Sequence, residues 1–471
     1  MYKNKKGSIT MSTKSSVALL FLAIFNNSAQ AQSLTVPPSE HPVLRTIQAS
    51  VDANRIKKDV TQLVDFGTRH TLSEVKSDKK GIGAARRWIK SEFDKISAQC
   101  GGCLEVIYQK QTFSGHKRIP EPTEVVNVIA IQRGIKDPNR YIVMSGDIDS
   151  RVTDPLDFTS ISPGANDNAS GVAGVIESAR VLSNYKFDGT VVYAALSGEE
   201  QGLFGGKIMA ETAQKEGWRV EAVINNDMIG NISGINGVIN NTTARVFSEG
   251  IRYVETKEEA KLRRFTGGEV DSASRNVARY IDKIADDYIP NLDVMMIYRL
   301  DRFARGGHHR PFNKVGYPAV RIMETNEHYD RQHQNIRNEN GRQYGDVLSG
   351  VDFSFNAKLT SLNAVTLAAM AWAPAPPASV EISGAVKPST TLSWERPKGK
   401  MADNLAGYRV HWRLTTDAIW TNSQYVGDVS SFELKNIVID NYFFGVSSIS
   451  KEGFESPVVF PGPAGSFGDY N

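Results

Sequence analysis

Only two cysteines occur among 471 residues, too few for a disulfide-built scaffold or a multi-cysteine zinc module. No charge of one sign dominates. Lys and Arg number 55 against 52 Asp and Glu, a formal net of +3, which excludes a nucleic-acid binder acting through bulk charge. Long apolar runs are missing too: Val17 to Phe25 spans about half of the ~20 residues that a membrane crossing needs. What is present is 40% hydrophobic and 23% charged, an ordinary globular composition that excludes disorder, collagen and coiled coil as the main state. The length exceeds what one core usually serves, so two domains are expected.

Residues 1–31 read as a secretory signal peptide. Lys3, Lys5, Lys6 and Lys14 form a basic start, the short apolar run follows, and Ala29-Gln-Ala31 offers a small-x-small cleavage site. The expected protein is exported, secreted or periplasmic, with no integral membrane segment after cleavage. In an oxidising compartment Cys100-Gly-Gly-Cys103 reads as a local disulfide.

Apolar periodicity predicts helices over 51–65 and 82–97. From about residue 124, apolar runs at 125–131, 141–144, 191–196 and 220–224 alternate with helical segments at 169–183 and 205–216. This alternation predicts an α/β fold with a mainly parallel central sheet flanked by helices. Residues 242–300 are charged and helical and read as an inserted cap. The α/β pattern resumes at Gly316-Tyr-Pro-Ala-Val-Arg-Ile322, and a last helix covers about 346–371. This first domain spans 32–373. Residues 374–378 are Pro-rich and read as a stiff linker. An all-β sandwich is expected over 379–461, with a tail at 462–471. Tyr408, Val410 and Trp412 should face inward there, and Arg409, His411 and Arg413 outward. Trp394, in Thr391-Leu-Ser-Trp394, and Tyr442 make this part resemble a fibronectin type III domain.

Acidic segments end the predicted strands. They are Gly146-Asp-Ile-Asp-Ser-Arg151, Ser197-Gly-Glu-Glu200 and Asn225-Asn-Asp227, and Asp167 lies in Pro163-Gly-Ala-Asn-Asp-Asn-Ala-Ser-Gly171 before a helix. Open α/β sheets bind ligands outside the carboxyl ends of their strands, so these carboxylates should converge. With no clustered cation beside them, a divalent metal is the natural counter-charge. Catalytic alternatives are missing from the sequence: there is no HExxH, no P-loop and no GxSxG elbow.

Over about 50–370 the chain resembles the di-zinc exopeptidases of the bacterial leucyl aminopeptidase type, metallopeptidase clan MH, family twenty-eight. Phe66-Gly-Thr-Arg-His70, Gly81-Ile-Gly-Ala-Ala-Arg86, the 163–171 segment, Ser197-Gly-Glu-Glu200, Asn226-Asp227 and Gly316-Tyr-Pro318 carry the resemblance. It implies the zinc exopeptidase fold, peptide substrates and two divalent ions, zinc first. It implies Asp167 as the bridging ligand, Glu200 and a late histidine on the first metal, and Asp227 on the second. Glu199 is implied as the general base that activates water. Among His308, His309, His328 and His333, the family's order of motifs places the ligand on His333 and leaves His309 as a substrate or supporting contact.

The family opens its metal set with His-x-Asp, whereas this chain has Asp147-Ile-Asp149. Asp147 would then complete an all-oxygen second site with Asp167 and Asp227, weaker for zinc and tolerant of manganese. Asp149 becomes a supporting residue that Arg151 could neutralise. The resulting expectation is an aminopeptidase. A carboxypeptidase or dipeptidase of the same clan, a glutaminyl cyclase and a fold-retaining binding protein are the rivals. The oligomeric state stays open.

Overall fold

The computed structural model describes residues 34–397 and 402–468; the signal-like segment 1–31 lies outside them. Eight strands form one central sheet: β1 (Glu105–Phe113), β2 (Thr123–Gln132), β3 (Asp137–Asp147), β4 (Gly189–Leu196), β5 (Arg219–Asn226), β6 (Thr243–Ser248), β7 (Asp293–Ile297) and β8 (Ala319–Glu324). Their order is β1-β2-β4-β3-β5-β8-β6-β7. The centre β4-β3-β5-β8 is parallel, as is the β6–β7 pair. The pairings β1–β2, β2–β4 and β6–β8 are antiparallel, so the sheet is mixed.

Both faces of the sheet are buried, which explains the unbroken apolar runs. Period-two alternation sends Val191, Tyr193 and Ala195 into one core and Val192, Ala194 and Leu196 into the other. The larger core is closed by α1 (Pro42–Ser50), α2 (Ala53–Asp65), α3 (Gly81–Gln99) and α4 (Ser170–Leu182). The short α5 (Glu199–Gly202) follows β4, and α6 (Phe204–Lys215) covers the opposite face.

The segment 242–300 departs from the helical cap expected of it. Its helices α7 (Lys257–Thr266) and α8 (Ala273–Tyr288) are present, but β6 and β7 extend the central sheet. Helix α8 is capped by the Ser272 hydroxyl and buries Val277, Ile281, Ile284 and Tyr288. The single turn α9 (His309–Lys314) precedes β8. A small hairpin, β9 (Arg337–Glu339) with β10 (Arg342–Tyr344), precedes the nearly all-buried α10 (Phe353–Trp372).

Residues 374–377 are buried, so they do not act as a free spacer. The buried Arg140 guanidinium donates to the carbonyls of Met370, Ala371 and Ala373 at 3.0, 3.2 and 2.8 Å. Beyond them lie β11 (Ala378–Ser383), β12 (Thr390–Glu395), β13 (Leu405–Leu414), β14 (Asn422–Gly427), β15 (Ser431–Leu434) and β16 (Tyr442–Ser450). They form two three-stranded sheets, β11-β12-β15 and β14-β13-β16. Trp394 packs on Tyr408 with ring centroids 5.1 Å apart.

One face of β13 reverses its expected orientation. His411 and Arg413 are buried, His411 against Ser447 and Glu455 and Arg413 against Asp271 of the first domain. Arg413 Nη2 donates to both oxygens of Asp271, at 2.7 and 2.8 Å, and both side chains are 0% exposed. Trp420 donates to Asn276 and Tyr280 to the Glu455 carbonyl across the same boundary. Cys100 and Cys103, just after α3, are joined as a disulfide.

Candidate metal centre

Parallel neighbours end on the same sheet edge, and the acidic segments follow those ends. Strand β3 stops at Asp147, β4 leads through Ser197 and Gly198 into Glu199 and Glu200, and β5 leads into Asp227. Gly198 takes φ +75 at the sharp turn from β4 into α5, where a side chain would be strained. Gly171 lets α4 start against β5: a Cβ there would lie 2.6 Å from the Asn226 carbonyl. Asp167 sits in the irregular turn before α4, its backbone N–H held by Asp346 at 2.7 Å.

The structure gathers Asp167, Glu200 and His333. His333 Nε2 lies 2.9 Å from Glu200 Oε1 and 3.0 Å from Asp167 Oδ2, and one ligand atom from each lies within 4.8 Å of the others. His328 contributes nothing to this group. Burial lowers the His333 pKa, but Glu200 and Asp167 outweigh it and pull it up, so without a metal the ring favours its cationic form. Arg151 Nη2 lies 2.7 Å from Nδ1, a contact that a guanidinium, which only donates, makes as a hydrogen bond only to the neutral ring. Glu200 and Asp167 thus draw positive charge to Nε2, the place a metal ion would take. An imidazole nitrogen and two carboxylate oxygens are donors that zinc accepts, and three is the number of protein ligands a catalytic zinc keeps.

Arg151 also donates from Nε to Glu200 Oε2 at 2.7 Å, so it pairs with Glu200 rather than with Asp149 as expected. Strand β3 ends at Asp147, so the strand geometry that would align residues 147, 149 and 151 does not continue. Asp149 instead accepts the backbone N–H groups of Glu199 and Glu200 at 3.1 and 3.0 Å, and the Thr71 hydroxyl at 3.2 Å. It thereby fixes the turn that presents both glutamates. The Glu199 carboxyl accepts no hydrogen bond among the described residues. Burial first, then the charges of Glu200 and Asp227, raise its pKa well above the usual range. A carboxyl so placed is suited to taking and returning a proton.

Asp147 and Asp227 are not part of the group around His333. Asp147 Oδ1 lies 2.5 Å from His308 Nδ1, and its Oδ2 accepts from Asn168 Nδ2 at 2.8 Å. Asp227 Oδ2 lies 2.7 Å from Nη2 of the fully buried Arg321. His309, expected as a substrate or supporting contact, faces away from the carboxylates of the site. Its Nε2 bonds the Leu300 carbonyl at 2.7 Å and lies 3.5 Å from Asp301, so it props the 300–301 loop and the adjacent His308 faces the site.

Three contributors escape a motif reading. His308 gives no sequence signal beyond its place in the chain. Asp346 holds the Asn166 and Asp167 backbone and gives no sequence signal beyond a lone acid. Arg321 carried one: a charge inside the apolar run Ala319-Val-Arg-Ile322.

The profile described as peptidase family M28 matches residues 127–351. A probable zinc metalloprotease of Pyrenophora teres f. teres is 41% identical over 432 residues, covering 91% of this chain and 89% of that protein. One from Leptosphaeria maculans is 40% identical over 429 residues, covering 91% and 99%. Among solved structures, the LapA aminopeptidase of Legionella pneumophila superposes with a TM-score of 0.52 at 19% identity. That match covers 73% of this chain and 78% of that one, a likeness of fold.

Proposed function

The chain belongs to peptidase family M28, a family of zinc-dependent peptidases, and from that premise we propose that it is an exported exopeptidase removing residues from the amino termini of peptides. The observation that carries this reading is the Asp167–Glu200–His333 group with Glu199 beside it, free of hydrogen bonds at its carboxyl. Zinc held by Asp167, Glu200 and His333 would supply a Lewis acid that acidifies water and draws charge from the scissile carbonyl. Glu199 takes the proton of the attacking water and returns it to the leaving amine. Arg151 holds Glu200 and His333 in place, and Asp149 sets the backbone under both glutamates.

Aminopeptidase rather than carboxypeptidase action is supported by the charges. Arg151, Arg302 and Arg321 are each committed to a protein carboxylate, at 2.7, 2.8 and 2.7 Å. A substrate ammonium suits this acidic ring better than a substrate carboxylate does. Export is supported by the signal-like residues 1–31 and the Cys100–Cys103 disulfide. Among the described residues no helix is long and apolar enough to cross a membrane. The two three-stranded sheets support a fibronectin type III-like reading of the last domain.

The test is a panel of free, N-blocked and C-blocked peptides with an N-terminal glutaminyl peptide. Cleavage of free and C-blocked but not N-blocked peptides is expected. Cleavage that needs a free carboxyl end, or cyclisation of the glutaminyl peptide without hydrolysis, would overturn the proposal.

A further inference from the structure

The second metal of the di-zinc pattern would need Asp147, Asp167 and Asp227, and the donors here do not fit one. Both oxygens of Asp147 are taken, Oδ1 by His308 at 2.5 Å and Oδ2 by Asn168 at 2.8 Å. Asp227 Oδ2 faces the Arg321 guanidinium as an ion pair at 2.7 Å, without hydrogen-bond geometry. An imidazole does stand there, that of His308, but its Nδ1 is held by Asp147 and its buried Nε2 has no hydrogen-bond partner, and among the described residues none of Asp147, Asp227 and His308 belongs to a three-ligand group.

From this we propose that the centre holds a single zinc ion, and that the Arg321 guanidinium is the fixed cation where the fold's second metal would lie. The proposal rests on the zinc centre of Asp167, Glu200 and His333 argued above. Several features make Arg321 a resident and not a side chain that can swing away. It projects from β8, at a register opposite Asn225 of the neighbouring β5, two residues before Asp227. It is 0% exposed. Its Nη1 donates to Asp301 at 2.9 and 3.2 Å and to the Gly306 carbonyl at 2.9 Å. His309 in turn props the loop that carries Asp301. Arginine keeps its charge at any working pH, so the position cannot be vacated by losing a proton. A metal dication beside it would meet a like charge and would have to strip Asp227 of its partner.

Arg321 thus positions Asp227 and balances its charge. It also frees the centre from needing a histidine at position 147, which accounts for Asp147-Ile-Asp149 in place of the family's His-x-Asp.

The test counts zinc in the full-length protein after dialysis against excess zinc, by elemental mass spectrometry and calorimetry. One equivalent is expected in the unmodified protein. His333→Ala should lose it, and Asp227→Asn should keep it with Kd within about threefold. Two tight equivalents in the unmodified protein, or loss of the single equivalent in Asp227→Asn, would overturn the proposal. Arg321→Met combined with Asp147→His, checked for folding by circular dichroism, should admit a second equivalent; a folded double variant that still takes one would also overturn it. The unmodified count decides even if that variant does not fold. Peptidase activity with two bound zinc ions would sink the single-zinc centre and leave the proposed function standing. One bound zinc ion with no turnover of any peptide would do the reverse.

Discussion

Asp149→Asn changes one atom type and almost no volume, yet it should slow turnover. The carboxylate accepts the Glu199 N–H at Oδ1 and both the Glu200 N–H and the Thr71 hydroxyl at Oδ2. An amide has one oxygen. The better orientation keeps it at the Oδ2 side, leaving an N–H facing the Glu199 N–H. A hydrogen bond to a charged acceptor contributes about 1.5–3 kcal/mol. If the lost bond is felt wholly at Glu199, about 2 kcal/mol enters the barrier, or roughly thirtyfold in kcat at 1.36 kcal/mol per decade. Asp149→Ala loses both backbone bonds, so about 4 kcal/mol and roughly a thousandfold is expected. Steady-state kinetics on a small free peptide, with zinc content measured in parallel, separates a misplaced base from a lost metal. KM and zinc content should change little. Equal kcat in the Asn and Ala variants, or both within threefold of the unmodified protein, would refute the view that these two N–H bonds set the glutamates.

Glu199→Gln should keep its zinc and lose turnover by on the order of a hundredfold or more; retained turnover would remove Glu199 from the role of base. Arg413→Met leaves Asp271 with only Arg279 and should cost on the order of 3 kcal/mol in urea unfolding, whereas a loss below about 0.5 kcal/mol would mean the buried pair is not holding the domains. A protein ending at Ala373 retains Asp167, Glu199, Glu200 and His333; it should unfold at lower temperature yet keep small-peptide turnover, and a folded but inactive product would contradict this. Burial raises the Glu455 pKa, but the hydrogen bond and charge of His411 outweigh it and hold it at about 2. A depressed value stabilises the fold above the ordinary pKa near 4.5 and loses that effect as pH falls toward 2. The difference in unfolding free energy between the unmodified protein and Glu455→Gln should therefore shrink from up to about 3 kcal/mol at pH 6 to near zero at pH 2.

The central strands and the acids that follow them were legible because both faces of the sheet are buried and ligands gather at parallel strand ends. Strand β1 was not, since it is an edge strand whose Gln109, Lys110, Gln111 and Thr112 spoil any apolar pattern. Strands β6 and β7 are short and flank the charged helices α7 and α8, which masked them. His411 and Arg413 alternate like solvent-facing residues, and what covers them is distant in sequence: Asp271 for Arg413, and Ser447 and Glu455 for His411. The Arg321–Asp227 pair depends on β8 lying beside β5, a neighbourhood that residues a hundred apart in sequence do not announce. The choice between His308 and His309 turned on which of two adjacent side chains faces inward, and counting motifs does not decide that.

A module on a loose tether sweeps a volume set by tether length, and what it captures arrives at the catalytic centre from many directions. The Arg413–Asp271 pair and the buried stretch at 374–377 remove that freedom here. Anything gripped by the β-sandwich would be presented at one distance and one angle, as if by a ruler. Lengthening the chain at 374–377 would then extend no reach; it could only unseat the sandwich from α8.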